Sequence, residues 1–143
     1  MQIDDHPTQA DLALINQGLE AHAQEARVEP RNHQPLTLVL RNADGHMIGG
    51  VVATTVWGWL HVKELWVAAS YRSAGHGAEL MRAAEDIARR RGCHHAMLDT
   101  FDFQAREFYE RLGYVVFGVL DDFPRAHQRF FMRKALGTDD DST

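Results

Sequence analysis

The segment Leu65-Trp-Val-Ala-Ala-Ser-Tyr71-Arg72-Ser-Ala-Gly75-His-Gly77-Ala-Glu-Leu80 reads as a strand that feeds a glycine-rich turn and then opens a helix. A helix N-terminus presents unpaired N–H groups and the positive end of its dipole, and glycines without a Cβ let a ligand approach the backbone. That chemistry binds an anion, with phosphate as the natural guest. The same glycines also suit a tight strand-to-helix connection in which they only relieve crowding. Two phosphate-binding patterns are excluded by their spacing. A P-loop needs Lys-Ser/Thr after its last glycine, where this chain has Ala78-Glu79. A dinucleotide fingerprint needs a third Gly or Ala where Leu80 stands, and it follows the first strand of a parallel sheet, not the last of an antiparallel meander.

The elements that must hold this turn are legible on either side of it. Thr8-Gln-Ala-Asp11 has the form of a capping box, and Leu12, Ile15, Leu19, Ala23 and Ala26 follow with helical period, which predicts a helix over about 9–26. A polar stretch with two prolines leads to a strand at Leu36–Arg41, and Asn42-Ala-Asp-Gly45 predicts a hairpin turn into a second strand, His46–Val56. A Trp57-Gly58-Trp59 corner then leads into Leu60–Val67. Three strands with such short connections run antiparallel. Beyond the turn, residues 75–91 form a helix with Leu80, Ala84, Ile87 and Arg91 on one stripe and Met81 and Ala88 beside it. Its outer face is expected to carry the i,i+4 pairs Glu85/Arg89 and Asp86/Arg90, and Gly92 stops it. A strand at His95–Thr100, a helix at Gln104–Leu112 stopped by Gly113, a strand at Tyr114–Leu120, a loop Asp121–His127 and a last strand Gln128–Lys134 complete the order. The expectation is one α/β domain over 1–137, followed by a disordered acidic tail at 138–143.

Composition narrows the function classes. A chain of 143 residues with 45% hydrophobic residues is the size of one ordinary domain. No apolar run approaches the ~20 residues that span a bilayer, and the first residues lack the regions of a signal peptide, so no membrane partner and a cytoplasmic location are expected. Cys93, the single cysteine, gives neither a disulfide nor a thiolate zinc framework. Nine histidines invite a metal, but His94 and His95 are adjacent and no HxxxH spacing accompanies them, so no metal site is expected. A net charge of −5 argues against nucleic acid as partner. That acidity sits at the ends: residues 1–30 hold 1 basic and 6 acidic side chains, whereas residues 31–138 hold 14 basic and 11 acidic. The body around the glycine turn is mildly basic and tolerates an anionic ligand.

Two motifs carry a resemblance. Arg72-Ser-Ala-Gly75-His-Gly77 follows Glu64-Leu-Trp-Val67, and downstream stands Ala105-Arg-Glu-Phe108-Tyr109-Glu-Arg-Leu-Gly113-Tyr114. Both, at this separation and in this order of elements, make the chain resemble the GNAT superfamily of acetyl-CoA-dependent N-acetyltransferases over nearly its whole length, from about Ile3 to Leu136. The resemblance implies a GNAT-like α/β fold, a mixed, mostly antiparallel and splayed sheet flanked by helices. It implies acetyl-CoA as acyl donor, with its pyrophosphate on the backbone N–H groups of Arg72, Ser73, Ala74, Gly75, His76, Gly77 and Ala78. The pantetheine arm would pair with the backbone at Leu65 and Val67, and the Val67 amide would face the thioester carbonyl. Tyr109 matches the general acid for the departing thiolate; as a residue it also fits an aromatic packing neighbour of Phe108 and Leu112.

Glu64 is the candidate base on the facing strand, and a structural carboxylate bonded to nearby backbone is the other reading. Period-two alternation groups it with Leu60, Val62 and Trp66, apolar neighbours that would raise its pKa; alternation equally puts it on the wrong face unless a bulge intervenes. His61 is in reserve. Relatives often carry Asn where this chain has Asp102, which cannot donate when ionised, so Gln104 or a water would substitute. Trp57, Trp59 and Phe123 fall in connections that in this family line the acceptor side, and with Asp121 and Asp122 they would suit an amine with an apolar or aromatic body. A hydrophobic corner, a solvated loop or a homodimer seam explains them as well. The implied activity is acetyl transfer to a primary amine, a small molecule or a peptide, by direct attack in a ternary complex. A non-catalytic acyl-CoA-binding sensor or docking module of the same fold is the alternative, and a small nucleotide-binding α/β domain is a third reading.

Overall fold

Thr8 starts the first helix as its sequence requires. Its side chain accepts the Asp11 N–H at 3.1 Å, and the Asp11 carboxylate accepts the Thr8 N–H at 2.9 Å, a complete capping box. Hydrogen bonding from the Thr8 backbone, and secondarily from its side chain, holds the Asp11 carboxyl below its usual range. The computed structural model describes residues 1–137, so the acidic tail expected at 138–143 lies outside them. The chain forms two compact units, Met1–Arg31 and a second that begins at Asn32. The first is built on α1 (Gln9–Glu25), which buries none of its residues, so that Leu12, Ile15 and Leu19 are exposed.

The second unit contains, in order, β1 (Gln34–Arg41), β2 (Met47–Val56), β3 (Trp59–Val67), α2 (His76–Arg90), β4 (His95–Phe101), α3 (Arg106–Arg111), β5 (Val115–Asp121) and β6 (Gln128–Ala135). Among the described residues six strands make one sheet in the order β1-β2-β3-β4-β6-β5. Its neighbours are antiparallel except for the pair β3 and β4. This is the mixed, mostly antiparallel architecture that the resemblance implies.

The turns explain the antiparallel half. The Asn42 Oδ1 accepts the N–H groups of Asp44 and His46, both at 3.0 Å, and Gly45 takes φ +84°, which fixes the β1–β2 hairpin. Trp57 and Gly58 both have positive φ, +48° and +75°, so the Trp-Gly-Trp corner is a two-residue hairpin turn of the kind that matches strand twist.

Helix α2 lies on the sheet with Leu80, Met81, Ala84, Glu85 and Ala88 buried, and the core continues through Val51, Leu60, Leu98, Tyr114 and Met132. Glu85 corrects the expected outer face. It is 3% exposed, with the Tyr114 hydroxyl donating to Oε2 at 2.9 Å and the Lys134 ammonium to Oε1 at 2.7 Å. Arg89 instead pairs mainly with Asp86, at 2.9 Å, and stands 3.8 Å from Glu85. Helical spacing makes Glu85 and Arg89 neighbours, but Tyr114, just before β5, and Lys134, in β6, come from later in the chain and decide which face is covered.

The sheet opens at one place. Pairing between β3 and β4 runs from Trp59↔His95 to Val62↔Leu98 and stops. On the other side of β3, Ala53 opposes Val62 while Val52 opposes Glu64, so Lys63 is an extra, bulged residue. A bulge bends and twists its strand. The last residues of β3 therefore lean away from β4 and leave a notch directly before the glycine turn.

Candidate active site

The notch has free backbone on its β3 wall. The Ala68 N–H donates to Ile48 at 2.8 Å, and the Trp66 carbonyl would meet a Cβ on Gly49 at 2.9 Å, so both residues turn their backbones toward β2. Alternation then aims the backbone groups of Leu65 and Val67 into the gap. Arg72 reaches back to this edge, its Nε donating to the Val67 carbonyl at 3.0 Å. The guanidinium expected to add charge at the turn is thus anchored to the strand that precedes it.

Gly75 ends the turn. It is the N-cap of α2 at φ +86°, with no side-chain cap on the helix, and a Cβ there would meet nothing within 4 Å. Only its conformation calls for glycine. Because no side chain caps α2, the N–H groups of its first turn, starting at His76, Gly77 and Ala78, point outward with no helical acceptor. The His76 Nδ1 is shielded from solvent without a hydrogen-bond partner, the Glu79 carboxylate lying 3.5 Å away. Tyr71 is fixed by the Asn42 side-chain amide, which donates to its hydroxyl at 3.1 Å.

Gly77 serves a different purpose from the one its place in the turn suggests. An added Cβ would stand 3.2 Å from Phe108 Cζ and 3.9 Å from Leu65 Cδ2. The missing side chain makes room for the Phe108 ring at the end of the notch, where α2, α3 and β3 meet. Phe108 also lines a cavity of about 630 Å³ that continues past Ala105 to Asp102, Gln128 and Phe130.

Tyr109 is 8% exposed, with the Phe108 and Tyr114 rings edge-on at centroid distances of 5.1 and 6.1 Å. Burial, and secondarily the Asp99 carboxylate, push its phenol up to about 12. It is both a core residue and a phenol that stays protonated throughout the neutral range.

The bulge on which the position of Glu64 depends is present, but its expected neighbours Leu60 and Val62 are not around it. The bulge at Lys63 breaks the alternation, so Leu60 and Val62 face the core with Leu65 and Val67 while Glu64 lies opposite Val52 on the other side of the sheet with Trp66. Both are exposed, and the apolar enclosure expected to raise the carboxyl's pKa is absent. His61 is half-buried on that same side; burial, then Lys63, pull its imidazole below the ordinary range against an opposing pull from Asp99.

Trp59 stacks on His95 with centroids 4.6 Å apart, at the first residue of β3, whereas the notch lies at the last. At about 3.3 Å per residue Trp59 stands roughly 25 Å along β3 from Val67, a position that agrees with the hydrophobic-corner reading of Trp57 and Trp59. Phe123 does reach the notch end of β4, stacked with Phe101 at 6.1 Å. Gln104 is oriented by its own turn, its Oε1 accepting the Phe101 N–H at 3.2 Å and the Thr100 hydroxyl at 3.3 Å, and these bonds leave its amide N–H groups as the donors.

A pair that no local pattern announced stands beside it. Asp102 Oδ1 lies 2.8 Å from His127 Nδ1, and Oδ2 accepts the Gln128 N–H at 3.0 Å. Burial pushes the Asp102 carboxyl up, but the bonds from His127, Gln128 and Phe103 outweigh it and hold the group below the usual carboxylate range. The two residues are 25 positions apart, and only the return of the chain through β5 brings them together.

Comparison with known proteins agrees with this geometry. The sequence profile of the Acetyltransferase (GNAT) family matches residues 7–114. A blasticidin-S acetyltransferase of Streptomyces morookaense is 44% identical over 81 residues, 56% of this chain and 60% of that protein. An acetyltransferase of Agrobacterium fabrum is 38% identical over 95 residues, 66% of this chain and 69% of the relative. The crystal structure of an acetyltransferase from Bacillus cereus superimposes with a TM-score of 0.85 at 32% identity, covering 94% of this chain and 98% of that one. A splayed β3/β4 pair, an uncapped helix at the glycine turn and a profile match over most of the sequence agree: the chain belongs to the GNAT acetyltransferase family.

Proposed function

We propose that the protein transfers the acetyl group of acetyl-CoA to an amine by direct attack in a ternary complex. The observation that carries this reading is the notch itself, with the Leu65 backbone and the Val67 N–H facing the gap and the uncapped N-terminus of α2 at its end. The residues fit the donor. Backbone N–H groups from Arg72 through Ala78, with Ser73, Ala74, Gly75, His76 and Gly77 between, suit a pyrophosphate, and the Leu65 and Val67 edge suits an extended pantetheine amide chain. The Val67 N–H would take the thioester oxygen as negative charge develops on it.

Tyr109 would face the leaving sulfur with its proton in place. A phenol near 12 giving its proton fully to a thiolate of ordinary pKa, about 8.5, is uphill by roughly 5 kcal/mol. Its contribution is therefore a hydrogen bond that strengthens as the C–S bond breaks, with the thiolate finally protonated by solvent. Glu64, exposed on the far side of β3, would draw the ammonium form of the acceptor toward the splay. The relative named for blasticidin S supports a small-molecule amine as acceptor.

The test measures thiol release from acetyl-CoA across a panel of amines, together with melting in the presence of acetyl-CoA, NAD or ATP. Stabilisation by acetyl-CoA alone and amine-dependent thiol release are expected. Stabilisation without release from any amine would favour an acyl-CoA sensor, and stabilisation by ATP or NAD instead would overturn the reading.

A further inference from the structure

We propose that His127, oriented by Asp102, takes the proton from the acceptor amine. This rests on the acetyltransferase reading above and names the base within it.

The pair is built like a base and its orienting carboxylate. An ionised Asp102 only accepts hydrogen bonds, so at 2.8 Å it requires the proton on His127 Nδ1. The neutral ring is then left with its lone pair on Nε2, the atom that would receive a proton. Asp102 cannot turn away, because the Gln128 N–H holds its other oxygen at 3.0 Å and its own N–H donates to the Gln128 carbonyl at 3.0 Å. The Phe103 ring stands perpendicular to the imidazole at 5.1 Å and stacks on Phe101 at 5.3 Å, which closes one side of the histidine. His127 nevertheless remains 46% exposed and open to a substrate.

Location connects the pair to the notch. Asp102 follows the last residue of β4, four positions beyond Leu98, where pairing with β3 ends. The cavity of about 630 Å³ has Asp102 and Gln128 on one wall and Phe108 on another, and Phe108 is the ring that packs over Gly77 beside Leu65. His127 does not line the cavity itself but bonds Asp102 and precedes Gln128, which both do, so an acceptor entering past these two residues would bring its amine to the imidazole. Glu64 lacks these features, since it is exposed on the opposite side of a bulged strand and no orienting hydrogen bond fixes it among the described residues.

The charges around His127 favour a cationic acceptor. Asp99 is neutralised by Arg129 at 2.8 Å, and Arg106 by Glu110 at 2.8 Å. Glu107 in α3 and Arg111 at its end offset each other. On the loop that carries His127, Asp121 and Asp122 face one cation, Arg125. The excess of carboxylate attracts an ammonium ion. In the step, an N–H proton of the acceptor moves to Nε2 and the freed lone pair attacks the thioester carbonyl. The C–N bond forms, the attacking nitrogen loses its second proton to solvent as the C–S bond breaks, the thiolate takes a proton from solvent, and the imidazolium returns its own to solvent.

The experiment is the pH profile of kcat/KM with acetyl-CoA and an amine that the wild type acetylates. The base must be neutral to take a proton, so the profile is expected to show an acid limb. His127→Gln is expected to lower kcat/KM by about 100-fold and abolish that acid limb while acetyl-CoA affinity stays the same. Imidazole added to His127→Ala is expected to restore rate in proportion to its concentration, and Asp102→Asn to lower kcat through the wrong tautomer. Glu64→Gln is expected to slow the reaction but keep the limb. Wild-type rate and limb in His127→Gln, no rescue by imidazole, or loss of the limb in Glu64→Gln each overturn the proposal while leaving the acetyltransferase reading intact. Absence of transfer to any amine by the wild type overturns both.

Discussion

Gly77 and Phe108 are complementary: a Cβ on the glycine would stand 3.2 Å from the ring's Cζ. The contact is tight enough that Gly77→Ala must displace the ring by a few tenths of an ångström, while alanine itself favours the helix by up to about 1 kcal/mol. Melting temperature is therefore expected to change little, and affinity for acetyl-CoA, measured by calorimetry, to weaken several-fold. Phe108→Leu in the same chain is expected to recover most of that loss. An unaltered affinity in Gly77→Ala would mean that the ring does not border the donor's path.

Gly75 should respond through conformation alone. Its φ of +86° is costly for any residue with a Cβ, although space is open around it. Gly75→Ala is expected to destabilise by roughly 1–2 kcal/mol in urea unfolding. Ser73, at φ +65°, gives the converse, and Ser73→Gly is expected to be neutral or slightly stabilising.

Tyr109→Phe removes the hydroxyl and leaves the ring. Turnover is expected to fall by about 100-fold while acetyl-CoA affinity changes less than two-fold, the signature of a contact made in the transition state. Unchanged turnover would remove Tyr109 from the mechanism.

The same phenol predicts an alkaline weakness. Its pKa is near 12 folded against 10.0 in the open chain, so its stabilising contribution is whole below pH 10 and is lost as pH rises from 10 to 12. The two-unit shift corresponds to about 3 kcal/mol. Tyr114, raised by burial first and then by Glu85, adds to the trend in the same direction. Urea unfolding at several pH values should show stability falling in that window, and less steeply in Tyr109→Phe.

Glu85 joins Tyr114 and Lys134 inside the fold. Glu85→Ala would strand both partners and is expected to cost about 3–5 kcal/mol, whereas Glu85→Gln, which still accepts from Tyr114, is expected to cost less. Equal unfolding midpoints for the two variants would show that the charge is immaterial.

The sequence by itself determined what neighbouring residues settle among themselves. The Thr8–Asp11 box, the Asn42–Gly45 turn, the strand feeding Gly75 and Gly77, and the helix that follows all depend on contacts within a few positions, so their residue types and spacing suffice. The antiparallel first three strands followed from connections too short for anything else, and two motifs together identified the family. Tertiary structure decided the rest. One bulged residue, Lys63, reverses the face of Glu64, and a strand's period of two carries no mark of where such a residue falls. Glu85 looks like a surface partner of Arg89 until Tyr114 and Lys134 arrive from 29 and 49 positions away. Trp59 could be read as an acceptor-side residue or as a hydrophobic corner until the sheet set it against His95, because a motif gives adjacency along the chain and not distance across the sheet. Asp102 and His127 form their pair for the same reason: hydrogen bonds between distant residues depend on how strands close, and that is a property of the packed sheet.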